Sequence, residues 1–205
     1  MRRIAFLARF IVMLAACLAG AGARADAIEV RAASLRPTEA GLVLDADFVF
    51  DLTPRLADVV VNGVPLYFRV DFELTRPRWY WFDETTATDR LLLRLSYHAL
   101  SRQYRLSTGL LQQNFATLEE ALNVLKRIRN WLVVDRTVAL SGGDYEAAVR
   151  MRHDTSMLPK PFQLSALTGR ELHLESPWHR FTVQALAQAP APVESRELPG
   201  APGIR

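Results

Sequence analysis

The side chains best equipped for chemistry in this chain are few and widely spaced. Of the four histidines, His98, His153, His173 and His179, no two stand at a spacing of two to four residues, which is how one strand or helix aims two imidazoles at one metal ion. The single cysteine, Cys17, sits in the N-terminal segment, so no metal-ligating cysteine pair exists and no metal or other cofactor is expected. Ser141 precedes Gly142-Gly143, a turn sequence and not the strand–Ser–helix elbow of a serine nucleophile. Asp71 and Glu73 in "LYFRVDFELT" fall on one face of a strand, and two carboxylates are the minimum kit for acid–base work. Arg69 shares that face, so an ion-paired sheet surface is the simpler meaning. Asp83, Glu84 and Asp89 lack the ligand spacing of a calcium loop. No catalytic residue is assigned.

Two stretches carry recognition chemistry instead. In "SYHALSRQYRLSTG", Arg102, Tyr104 and Arg105, with His98 nearby, form a polar and aromatic patch suited to an anionic partner. The competing reading is a hairpin whose arginines pair with acidic residues on adjacent strands. In "RPRWYWFD", extended geometry puts Trp79 and Trp81 on one side and Tyr80 and Phe82 on the other. With no bulge at Pro77, the tryptophans share the polar face of Arg69, Asp71 and Glu73. There they are either covered by a helix or present a ligand platform, because an exposed indole pair is a large apolar patch. A bulge at Pro77 exchanges the faces. The candidate binding residues are therefore His98, Arg102, Tyr104, Arg105, Trp79 and Trp81.

The elements that must position these residues are mostly strands. Leu66, Phe68, Val70, Phe72 and Leu74 alternate with Tyr67, Arg69, Asp71 and Glu73. Leu91, Leu93, Leu95 and Tyr97 alternate with Arg90, Arg94, Ser96 and His98, and the same period holds for Leu42 to Phe50 and Tyr145 to Met151. Period two with one polar face predicts antiparallel sheets over a core. "SGGD" (Ser141 to Asp144) predicts the turn of a hairpin pairing 133–140 with 145–153, and Phe181, Val183 and Ala185 a last short strand. Thr53-Pro54 and Asn62-Gly63 bracket a short helix over 54–61. Thr117 and Glu120 form a capping box, after which Leu118, Leu122, Leu125 and Ile128 make one apolar stripe ending at Trp131. The expected fold is mainly β: one antiparallel sandwich-like domain over 26–186, with a docked amphipathic helix near 117–130 and a second short helix.

The ends read differently. Arg2, Arg3 and Arg9, the apolar run Phe10–Ala19 and "ARA" at Ala23–Ala25 have the order of a secretory signal. The run is shorter than the ~20 residues a membrane span needs, so the mature chain is expected to start at Asp26 in the periplasm, without a transmembrane span. "LAAC" at Leu14–Cys17 offers the alternative of a lipid anchor on Cys17. Residues 187–205 are rich in Ala and Pro and are expected to be a disordered tail. The formal charge of +3 hides an asymmetry: residues 1–25 hold four of the 25 basic residues and none of the 22 acidic ones. The remainder is close to neutral, which argues against a nucleic-acid partner.

The phrases "GVPLYFRVDFEL", "RPRWYW", "LSYHALSRQYRLSTG", "LQQNFATLEEAL", "IRNW" and "LPKPFQL" together resemble an uncharacterised family of exported proteobacterial proteins, domain of unknown function 4390, over roughly 28–185. The resemblance implies no catalytic residue. It does imply an association with membrane-bound sensor histidine kinases, beside which such proteins are often encoded. The expected function is that of an exported, non-enzymatic binding module, with an envelope protein such as a sensor kinase as partner. The alternatives are a carrier of a small ligand, lipid or glycan, and a hydrolase using carboxylates on an open sheet face. A concave pocket with converging ionisable groups discriminates the enzyme, and an apolar cavity the carrier.

Overall fold

The structure, a computed structural model, describes residues 28–77, 84–138, 144–160, 162–163 and 172–183. It is mainly β and antiparallel, with two sheets sharing one core. Strands β1 (Glu29–Thr38), β2 (Gly41–Val49) and β7 (Arg127–Asp135) form one sheet in that order. Strands β6 (Leu111–Phe115), β5 (Gln103–Thr108), β4 (Glu84–His98), β3 (Leu66–Arg76), β8 (Tyr145–His153) and β9 (His179–Val183) form the other. Helices α1 (Pro54–Val61) and α2 (Leu118–Leu125) and a 3-10 turn (Thr155–Met157) lie between the strands.

The alternation seen in the sequence is realised in packing. Leu66, Phe68, Val70, Phe72 and Leu74 of β3 are buried together with Leu42, Leu44, Ala46 and Phe48 of β2 and Tyr145, Ala147, Val149 and Met151 of β8. Phe68 stands 5.6 Å from the Phe50 ring, and Phe72 meets Trp131 edge-on at 6.4 Å. The Trp131 indole N–H also donates to Asp89 at 3.0 Å, so a β7 side chain ties one sheet to a β4 side chain of the other.

Both helix starts follow the sequence. Thr53 Oγ1 accepts from Leu56 N–H at 3.2 Å, and Pro54 occupies the first turn of α1. Thr117 Oγ1 accepts from Glu120 N–H at 3.2 Å, while the Glu120 carboxylate reaches back to Ala116 N–H at 3.1 Å. The helix after Thr117 is shorter than the apolar stripe predicts. It ends at Leu125, with Lys126 as its C-cap, and Arg127 already belongs to β7. Ile128 is buried and Trp131 half-buried as strand residues. The reason lies in "RIRNWLVVD", whose β-branched and aromatic side chains favour the pleated surface, and whose Asn130 adopts φ +52, outside any helix.

The expected hairpin of 133–140 with 145–153 does not form. β7 pairs with β2, and β8 pairs with β3 and β9, so the chain changes sheets between Asp135 and Tyr145. Alternation states that a strand has one buried face but does not name its neighbour. The β2–β7 pairing is itself irregular. Its register slips between Leu44 and Ala46, and Asp45 fastens the bulge by accepting from Asn130 N–H at 2.8 Å and Arg36 Nε at 2.8 Å. These contacts, led by the Asn130 amide, hold the Asp45 carboxyl below its ordinary range against a smaller opposing effect of burial. Gly41 starts β2 with φ +142, and a Cβ there would stand 2.0 Å from the Val134 carbonyl oxygen.

α2 packs against β5, β6 and β7 through Ala121, Leu122 and Leu125. Leu125 is fully buried, so Leu125→Ala leaves a cavity and is expected to cost about 2–5 kcal/mol. Val124, exposed on the flank of the helix, is expected to tolerate alanine within about 0.5 kcal/mol. Urea titration of the two variants checks the docking of α2.

Candidate functional site

The outer face of the six-stranded sheet collects the charged residues that alternate with the core. Register sets Asp71 of β3 directly between Arg90 of β4 and Arg150 of β8, and Arg69 beside Arg152. Asp71 is only 6% exposed and meets four guanidinium groups. Arg150 Nε donates to its Oδ2 at 3.1 Å. Arg152 Nε and Arg69 Nε each lie 3.3 Å from its oxygens, and Arg90 Nε lies at 3.7 Å. The Arg69 and Arg152 contacts are ion pairs without hydrogen-bond alignment, since neither Nε has a hydrogen-bond partner.

The arginines have further company. Arg69 also reaches Asp154 at 3.3 Å, Arg150 reaches Glu175 at 3.2 Å, and the Arg150 guanidinium lies over the Trp178 ring at 4.4 Å. Burying a carboxylate is costly unless it is paired, and here both Asp71 oxygens face guanidinium groups. Towards β4 the same face opens to solvent, where Arg90, Leu92 and Arg94 are all exposed on alternate positions. The Arg94 guanidinium stands 6.0 Å from the Tyr67 ring.

The candidates around the β4–β5 hairpin are separated by the pleat. His98 and Arg105 lie on the outer face, Arg105 donating to Asn114 Oδ1 at 3.2 Å. His98 Nδ1 faces Ser101 N–H at 3.4 Å and Ser101 Oγ at 3.1 Å, bonds that close the turn. Arg102 occupies that turn with φ +52 and is exposed. Tyr104 points the other way and packs on Tyr97 at 4.9 Å between ring centres; burial, aided by Tyr97, raises its phenol above the ordinary range. Trp79 and Trp81, with Tyr80, Phe82 and Asp83, lie outside the described residues. The residues that sequence reasoning missed are Arg90, Arg150, Arg152 and Asp154. Their outward phase was readable, but the β3–β8 pairing that brings them to Asp71 was not.

A second charged region is a cleft of about 390 Å³ lined in part by Arg31, Asp47, Asn123, Lys126, Arg127 and Arg129. Two of its cations have protein partners at hand. Arg129 pairs with Asp47, and Lys126 pairs with Asp51 at 3.4 Å and lies 5.3 Å from the Phe50 ring centre. Lys126 also caps α2, whose carbonyl end attracts cations.

Among the described residues no group of three or more His, Cys, Asp or Glu side chains is placed to hold a metal ion. His153 is buried beneath the end of β8, 5.5 Å from the Phe68 ring. Its Nδ1 lies 2.7 Å from the Leu172 carbonyl oxygen and therefore donates, while Nε2 has no partner. Burial holds its pKa below the ordinary histidine value despite that bond and the charge of Asp154. The segment after Leu172 is tied to β8 at the same place, through His153 N–H to Leu174 O at 2.7 Å and Met151 N–H to Ser176 Oγ at 3.0 Å. Because the folded state favours the neutral ring, the unfolded chain binds a proton below about pH 6.5 that the folded chain does not. Urea midpoints are therefore expected to hold steady above neutrality and to fall as pH drops below that value. His153→Asn, which offers an amide donor to Leu172 without titrating, is expected to flatten that fall; an equally steep fall would assign it to other groups.

Residues 25–182 match the family described as Domain of unknown function (DUF4390). No curated protein and no solved structure matches the chain significantly.

Proposed function

We propose that this chain, which belongs to the Domain of unknown function (DUF4390) family, is an exported, non-enzymatic module that binds an acidic surface of another envelope protein. The observation that carries the reading is the state of Asp71. The carboxylate best placed for acid–base chemistry on the open sheet is enclosed by Arg69, Arg90, Arg150 and Arg152, which makes it a structural counter-ion. The exposed part of the same face is Arg90, Leu92 and Arg94, with Arg105 beside it on β5. Guanidinium groups around an apolar residue combine contact area with directional bonds to carboxylates, the composition of a protein-binding anchor.

The carrier reading has less support, because the described cleft is lined mainly by charged side chains and a lipid cavity is mostly apolar. Export rests on the charge and apolar order of residues 1–25. No helix of the described residues is long and apolar enough to cross a membrane. A membrane sensor kinase, the partner class implied by the resemblance, is the first candidate for the acidic surface.

Crosslinking in intact cells, followed by identification of the captured protein, tests the proposal. Replacing both Arg90 and Arg94 by alanine is expected to weaken capture by about tenfold, the ~1–2 kcal/mol that interface arginines carry. Arg94→Ala alone is expected to move the thermal midpoint little, since its side chain is exposed, whereas loss of Arg90, which stands 3.7 Å from Asp71, is expected to lower it. Arg105→Ala is expected to act in the same direction. Undiminished capture by the triple variant would remove this face from consideration.

A further inference from the structure

We propose that β6 is a self-pairing edge, joining two copies of this chain through antiparallel β6–β6 hydrogen bonds about a two-fold axis at Gln113. β6 ends the six-stranded sheet, and the other strands that end a sheet are β9, β1 and β7. Each of those carries charge: Arg180 in β9, Glu29, Arg31 and Arg36 in β1, Arg127, Arg129 and Asp135 in β7. β6, "LQQNF", carries none. Charges and prolines are how sheet edges are protected from pairing with another chain, so β6 alone among the four lacks that protection. Although α2 packs against the strand, Leu111, Gln112, Gln113 and Asn114 are exposed, Leu111 at 72%.

The free hydrogen-bonding groups follow from register. Thr108 pairs with Leu111 across the two-residue loop Gly109-Leu110, and Gly109 has φ +57, as the first position of a type II′ hairpin turn requires. The pair flanking such a loop is hydrogen-bonded, and hydrogen-bonded pairs alternate along the ladder. Leu111, Gln113 and Phe115 therefore bond to β5, while Gln112 and Asn114 turn their backbone N–H and C=O groups to the open edge.

A second copy is the occupant that fits, because the edge complements itself. Antiparallel pairing centred on Gln113 uses the whole strand and sets Gln112 against Asn114 of the other copy on the outer face. On the opposite face it sets Leu111 against Phe115, covering an exposed leucine with an aromatic ring. No charges meet anywhere along the paired strands, since LQQNF carries none. Four backbone hydrogen bonds form, two at each Gln112–Asn114 pair. The joined sheet is continuous across both copies and places their arginine-bearing outer faces on one surface.

Cysteine scanning tests the geometry directly, because the chain's one cysteine is Cys17. In a Cys17→Ala background, Gln113→Cys puts two sulfurs at a non-hydrogen-bonded pair with Cα atoms about 4.5 Å apart, within disulfide range. Mild oxidation is expected to yield a covalent dimer with Gln113→Cys, and far less with Gln112→Cys or Asn114→Cys, which do not face themselves. Gln112→Pro removes an outward N–H without touching the β5 ladder, and is expected to shift sedimentation from dimer to monomer with the circular dichroism spectrum unchanged. Should Gln112→Pro misfold, the crosslinking pattern decides alone. A wild-type chain that sediments only as monomer overturns the proposal, including the case where β6 serves a strand from a different protein. Equal crosslinking at 112, 113 and 114 overturns it too.

Discussion

A carboxylate held beneath four guanidinium groups imposes a strict alignment on the three middle strands of the larger sheet. Asp71 can be buried only if Arg90 and Arg150 arrive opposite it from β4 and β8, and only if Arg69 and Arg152 flank it one pleat away. A one-residue slip of either neighbour would move those arginines into the core and their apolar neighbours into water. The inner face of β3 makes the same demand in apolar terms, since Phe68, Val70 and Phe72 fill the space between the sheets. Burial on one side and ion pairing on the other thus select one register.

The smaller sheet is positioned by fewer, more local devices. Trp131 reaches across the sandwich to Phe72 and Asp89, and it can do so because the bulge fixed by Asp45 resets the phase of β7 after Asn130. α2 fills the space where β5, β6 and β7 diverge. The result leaves the outer face of the larger sheet free of covering helices among the described elements. Near its centre the charges are satisfied internally. Towards β4 and β5 exposed arginines remain, and the proposed recognition surface lies there.

Much of this was legible because period two is a strong signal when every second residue is Leu, Val or Phe. The inward faces of β2, β3 and β8 and the caps at Thr53 and Thr117 followed from residue chemistry. Partner choice did not follow. Tyr145–His153 reads equally well beside any strand with an apolar face, and the Gly-Gly sequence before it favoured a hairpin with β7, whereas β8 pairs with β3 and β9. The end of α2 was hidden because Ile128 and Trp131 continue a helical stripe while also suiting a strand. The Asp71 cluster was half visible: Arg69 beside Asp71 suggested ion pairing, but Arg150 and Arg152 come from 79 and 81 residues further along the chain.

The central claim is that Asp71 holds the sheet together and does no chemistry, and the stability of Asp71→Asn tests it most directly. Asparagine keeps the shape but removes the charge on which four arginines converge. Urea titration is expected to show a loss on the order of 3–5 kcal/mol, the range for breaking a buried ion pair from one side. A catalytic carboxylate behaves in the opposite way, because replacing a group strained for function commonly leaves a protein as stable or more so. An Asp71→Asn chain with undiminished stability and lost cellular function would contradict the account.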